Sequence, residues 1–136
     1  MGSYQLEFLN RFIYPSSFDI TLSIAILANS QDFYEVNAKL DSGSVFCIFQ
    51  RQYGKLLNLE LEAGISQRIR TATGSFLAYG HEITISIEGI EWQATVFFAA
   101  DEYFPVNVVG RVGFLDRLRI GLVDYEQTLY VSAYDD

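Results

Sequence analysis

The stretch KLDSGSVFCIF, residues 39–49, decides how the rest of the chain is read. Asp-Ser-Gly is turn chemistry: Asp and Ser bond their own backbone, and Gly has no Cβ to obstruct a tight bend. Yet both flanks are apolar. Before it, Tyr34, Val36, Ala38 and Leu40 alternate with Glu35, Asn37, Lys39 and Asp41, the period-two pattern of a half-buried strand. Asp41 therefore falls on the polar phase, at the strand's end. After it, Val45-Phe46-Cys47-Ile48-Phe49 resumes as an apolar run. A hairpin turn ordinarily sits where the apolar phase has faded. A carboxylate, two hydroxyls and a glycine set between core-like segments point instead to a loop held for its chemistry, with a plain turn as the competing reading.

The same alternation extends outward. Phe18, Ile20, Leu22, Ile24 and Ile26 share one phase, opposite Asp19, Thr21, Ser23 and Ala25. Ile83, Ile85 and Ile87 alternate with Thr84, Ser86 and Glu88; Gly89 breaks the run, and residues 92–100 read as the returning strand. Short apolar runs at 106–109, 120–123 and 128–131 complete the set, and Leu59 and Leu61 open another extended piece. The segment 68–83 reads as a hairpin turning near Thr73-Gly74-Ser75. Helix is scarce: residues 50–58 place Tyr53, Leu56 and Leu57 on one face, and 113–118 allow a turn or two. Many short strands with little helix predict a mostly-β barrel or sandwich in one domain over residues 1–136.

Composition narrows the functions. Half of the 136 residues are hydrophobic, enough for a proper core, and with only two prolines the chain is not of a disordered class. A net charge of −8 argues against nucleic acid as a partner, because phosphate binding needs a basic patch. The single cysteine, Cys47, cannot form an internal disulfide and reads as a buried thiol. The lone histidine, His81, reads as structural, so neither a Cys/His hydrolase nor a metal site is expected. No basic segment followed by an apolar stretch opens the chain, and the run 20–28 is too short to span a bilayer; a cytoplasmic protein without membrane attachment is expected.

A second stretch, VNVVGRVGFLDRLRIGLVDY at 106–125, gives the first its context. Val108-Val109-Gly110 is an apolar-apolar-Gly strand leading into a short helix that carries Phe114, Leu115 and Leu118. With these elements in view the sequence resembles the retropepsin-like aspartic proteases. In that family an Asp-[Thr/Ser]-Gly loop is followed by a flap hairpin, then by an apolar-apolar-Gly strand crossing near the loop. All three occur here in that order, over about residues 18–131.

The resemblance implies a small closed acid-protease barrel with one or two short helices, and Asp41 as its catalytic carboxylate. It implies that Ser42, Gly43 and Ser44 support the loop, with Ser42 bonding across to a partner loop and Ser44 bonding the carboxylate. It further implies that Thr73, Gly74 and Ser75 form the flap over an extended peptide, that Val108, Val109 and Gly110 pack against the loop, and that no metal or cofactor takes part. Asp101, Asp116 and Asp124 lack the loop, so a complete site requires a second copy of the chain. The extension 1–17 has no assignment, and the tail 125–136 either adds a strand at the dimer interface or folds back on its own barrel. Two other readings stay open: a catalytically silent binding or dimerisation module of the same fold, and an unrelated β-barrel binding an apolar ligand.

Overall fold

Alternation in the sequence becomes pairing in the computed structural model, which describes residues 2–29 and 32–136. Ten strands are formed among the described residues: β1 (Asn10–Ile13), β2 (Thr21–Leu27), β3 (Tyr34–Leu40), β4 (Ile48–Phe49), β5 (Ile65–Thr71), β6 (Gly74–Ile87), β7 (Ile90–Ala99), β8 (Val108–Val109), β9 (Leu118–Val123) and β10 (Thr128–Ala133). Helix α1 (Arg51–Leu56) follows β4. Seven strands lie in the order β2-β3-β8-β4-β7-β6-β5, and a further pairing of β2 with β6 closes the sheet on itself. The expected mostly-β barrel with little helix is what forms.

Each pairing follows from local chemistry. β6 and β7 meet through a two-residue turn in which Glu88 (φ 48°) and Gly89 (φ 80°) are both left-handed, the turn whose twist matches the flanking strands. β2 buries Leu22, Ile24 and Ile26 on alternate positions, and β6 buries Ile83, Ile85 and Ile87. Those residues join Phe49, Phe98 and Phe114 in the main core. Each such side chain contributes about 1.5–3 kcal/mol when fully buried. A second, smaller cluster of Ile48, Ile69, Ala78 and Phe97, with Phe46, Phe76 and Phe104 against it, sits apart from the main core.

Four expectations are corrected. Phe18 lies ahead of β2 and is fully exposed, because pairing with β3 begins only at Thr21 opposite Lys39. Leu61 opens a single 3-10 turn, Leu61–Ala63, rather than a strand; its side chain is buried against Gly54 of α1, where a Cβ would lie 2.5 Å from Leu61 Cδ2. The helix expected over 113–118 is a 3-10 turn of three residues, Leu115–Arg117. The hairpin of β5 and β6 turns at residues 71–74, centred on Ala72-Thr73 rather than on Gly74, since Thr71 pairs with Gly74.

The unassigned extension and the tail belong together. β10 lies between β1 and β9 in a separate three-stranded sheet, with Asn10 opposite Val131 and Thr128 opposite Val123. The tail thus folds back on its own chain. Tyr14 closes this sheet by donating its hydroxyl to Asp124; burial and that carboxylate push the Tyr14 hydroxyl up to about 12.

Candidate active site

Three chain segments meet at Asp41. β3 runs parallel to β8, with Lys39 opposite Val108 and Leu40 opposite Val109. The pairing carries on one residue further, as the Asp41 amide donates to the Val109 carbonyl (3.0 Å). The chain then turns, with the Ser44 amide donating to the Asp41 carbonyl (3.1 Å). Inside that turn the Gly43 amide donates to Asp41 Oδ1 (2.9 Å), which fixes the orientation of the carboxylate. After the turn, residues 44–46 run beside 110–112: the Arg111 amide donates to the Ser44 carbonyl (2.9 Å) and the Val112 amide to the Val45 carbonyl (2.8 Å).

Glycine at 110 is a spatial necessity. A Cβ there would sit 2.4 Å from the Ser44 carbonyl oxygen and 2.6 Å from that of Phe46. The Gly110 amide points at Cys47, donating to its sulfur (3.4 Å), and that thiol donates to the Val112 carbonyl. Burial pushes the Cys47 thiol up to about 11, so it packs as an inert neutral group. Ser44 does not bond the carboxylate: its hydroxyl donates to the Phe46 carbonyl (2.7 Å), bracing the loop's exit. The competing demand of an otherwise open carbonyl, two residues on, takes that hydroxyl.

Asp41 opens into a cleft of about 620 Å³ between this loop and the β5–β6 hairpin. Thr73, Gly74 and Ser75 line it from the hairpin side, with Gly43, Ser44 and Val108 opposite. Val109 and Gly110 are buried and support the loop from behind. Ser42 and Val45 lie elsewhere, in a neighbouring depression of about 420 Å³ with Arg111, Val112, Leu115 and Asp116. Val45 and Val112 are 54% and 46% exposed there, a pair of bare apolar side chains flanking the loop.

Some contributors escaped sequence reading. Thr71 knits the hairpin tip, its hydroxyl accepting from the Thr73 amide and donating to the Gly74 carbonyl. Phe104 is another such contributor, lining the cleft with its ring centre 4.7 Å from that of Phe76. Phe76, read from the sequence as a packing residue with pocket lining as the alternative, both packs there and lines the cleft. Asn107, 8% exposed, accepts from the Gln50 amide (2.8 Å) while its own carbonyl takes the Lys39 amide, tying β3 to the end of β4. A polar residue inside the run Val106–Val109 was the signal available for it. His81 bonds the Leu61 carbonyl (2.9 Å) and packs on Phe98, a structural role. Among the described residues no group of three or more His, Cys, Asp and Glu side chains is gathered to hold a metal ion.

A carboxylate loop under a hairpin, braced by a parallel apolar-apolar-Gly strand inside a closed barrel, is the arrangement of the retropepsin-like fold, and this chain has that fold. It is similar to a retropepsin-like aspartic protease from Rickettsia conorii, with a TM-score of 0.64 at 14% identity over 91% of this chain and 99% of that one. It is also similar to the EIAV protease in complex with the inhibitor HBY-793, with a TM-score of 0.56 at 18% identity over 74% of this chain and 88% of that one. No family model matches the sequence, and no curated protein matches it.

Proposed function

We propose that the chain is a homodimeric aspartic endopeptidase. The observation that carries the reading is Asp41 held at the base of a cleft that a hairpin overhangs, with its carboxylate oriented by the Gly43 amide. An extended peptide laid through the cleft meets the backbone of residues 73–75 on one side and Asp41 on the other. Two carboxylates facing each other around one water hold a single proton between them. One takes a proton from the attacking water, and the other donates to the carbonyl oxygen of the peptide bond. The tetrahedral adduct then collapses as the carboxyl that took the water's proton passes it to the departing amine, and the other carboxylate recovers its proton from the adduct's hydroxyl.

The second carboxylate has to come from a second chain. Asp101 accepts from the Tyr103 amide, Asp116 from the Gly113 amide and Asp124 from Tyr14, each away from the cleft. In this reading the partner packs about a twofold axis on the depression beside the loop, whose lining includes Ser42, Val45, Val112 and Leu115. The folded-back tail favours a second reading, in which the subunit binds peptides in its cleft without cutting them. Cleavage of a diverse peptide mixture from acidic to neutral pH separates the two. The proposal expects wild-type cleavage that disappears in Asp41→Asn while the melting temperature holds; a folded wild type that cuts nothing supports the binding module.

A further inference from the structure

The walls of the cleft carry an unexpected charge. The chain has 17 acidic and 9 basic residues, yet around the Asp41 loop the balance reverses. Lys39 and Arg70 line the main cleft, and Arg68 and Arg70 line a smaller cavity adjoining it beneath residues 43–46. Among the described residues Asp41 is the sole acidic residue lining either. Lys39 is the telling position. It stands two residues before Asp41, and its register opposite Val108 in a parallel pair puts the two side chains on the same face. Val108 also lines the cleft, so the lysine flanks the place where a substrate side chain next to the reacting bond would lie.

The charge there is available. Lys39 reaches Asp19 at 3.5 Å, but both side chains are half-exposed, at 40% and 57%, and such a pair is held weakly. Neither Arg68 nor Arg70 makes an ion pair among the described residues. Ile48, Ile69, Phe76, Phe104, Val106 and Val108 supply apolar walls, and the hydroxyls of Ser44, Thr71, Thr73 and Ser75 are uncharged. A carboxylate entering the cleft displaces water from beside the Lys39 ammonium, which strengthens the charge-assisted bond relative to the exposed pair with Asp19.

We infer that the cleft selects acidic peptides, with a Glu or Asp beside the cut bond bound by Lys39 and further acidic residues drawn by Arg68 and Arg70. This rests on the reading of the cleft as a peptide site. The test maps the bonds cut in a peptide library, then compares a matched pair differing only in Glu or Gln beside the bond. Wild type is expected to cut the Glu peptide about tenfold better in kcat/KM, the worth of one charge-assisted bond. Lys39→Met should bring that ratio near one, Lys39→Arg should keep it, and Lys39→Glu should turn the preference towards Lys. Equal cleavage of the pair by wild type, or an unchanged ratio in Lys39→Met, overturns the inference and leaves the protease reading intact. If wild type cuts nothing, binding of acidic, neutral and basic decapeptide pools to the Asp41→Asn protein decides. Tighter binding of the acidic pool that Lys39→Met abolishes sustains the inference without the protease; equal binding of the three pools ends it.

Discussion

A methyl group added at Gly110 would run into two carbonyl oxygens, whereas one added at Gly74 would meet nothing within 4 Å. Both glycines border the same cleft region, one behind the Asp41 loop and one at the hairpin tip, and they are glycine for different reasons. At 110 the requirement is space, since residues 44–46 and 110–112 lie side by side with no room between them. At 74 the requirement is backbone, since its φ of 149° is one that side-chain-bearing residues rarely adopt. The strand at Val108–Gly110 behind the carboxylate loop is thus buried, while residues 71–75 above it are all exposed. A site that must hold one group still and admit a peptide needs that contrast.

The contrast predicts opposite outcomes for the same substitution. Gly110→Ala should cost on the order of 3 kcal/mol by forcing the two segments apart. Denaturant unfolding would measure the loss; an alanine variant as stable as wild type would mean the loop yields more easily than its contacts indicate. Gly74→Ala should cost about 1 kcal/mol through backbone strain alone. Its larger effect should be on the hairpin tip, so KM for peptides should rise, while the unfolding midpoint falls by about a third as much as in Gly110→Ala. If stability falls as far as in Gly110→Ala, the tip is no looser than the strand behind the loop.

A smaller, pH-dependent effect probes the packed side. Burial raises the Cys47 thiol above its ordinary value to about 11, against a lowering by the Gly110 amide and a further push up from Asp116. The fold therefore favours the neutral thiol. That contribution is fully present below the ordinary thiol range near 9 and is lost as pH rises through about 11. Tyr14 behaves alike at higher pH, from 10 to about 12. Melting temperature should change little from these groups between pH 7 and 9 and then decline, with a thiol reagent reacting slowly with Cys47 in the folded protein. Rapid modification at neutral pH would contradict the burial behind Gly110.

How far the sequence could be read depended on whether the deciding forces were local. β2, β3 and β6 announce themselves by alternation, because one face of each is buried, and β7 by its return after Gly89. Asp41 and Gly110 stood out because turn chemistry and a glycine interrupt apolar runs. β1 did not, since four residues including Asn10 and Arg11 become a strand only by pairing with β10 over a hundred residues away. Leu61 looked like a strand residue because its spacing from Leu59 mimics alternation, whereas its side chain turns back onto Gly54 of the preceding helix. The same holds for Ser44, whose hydroxyl had two acceptors within reach of the sequence and in the fold takes the carbonyl. Lys39 read as one more polar-phase residue until its register against Val108 put it on the cleft wall.

The central claim is that each chain holds half of one active site. Mixing wild type with an excess of folded Asp41→Asn protein tests it most directly, with peptide cleavage followed across total protein concentration. Two half-sites predict that specific activity rises with wild-type concentration and that the variant suppresses it by forming dead mixed dimers. Activity strictly proportional to wild-type protein, and untouched by the variant, would contradict the account.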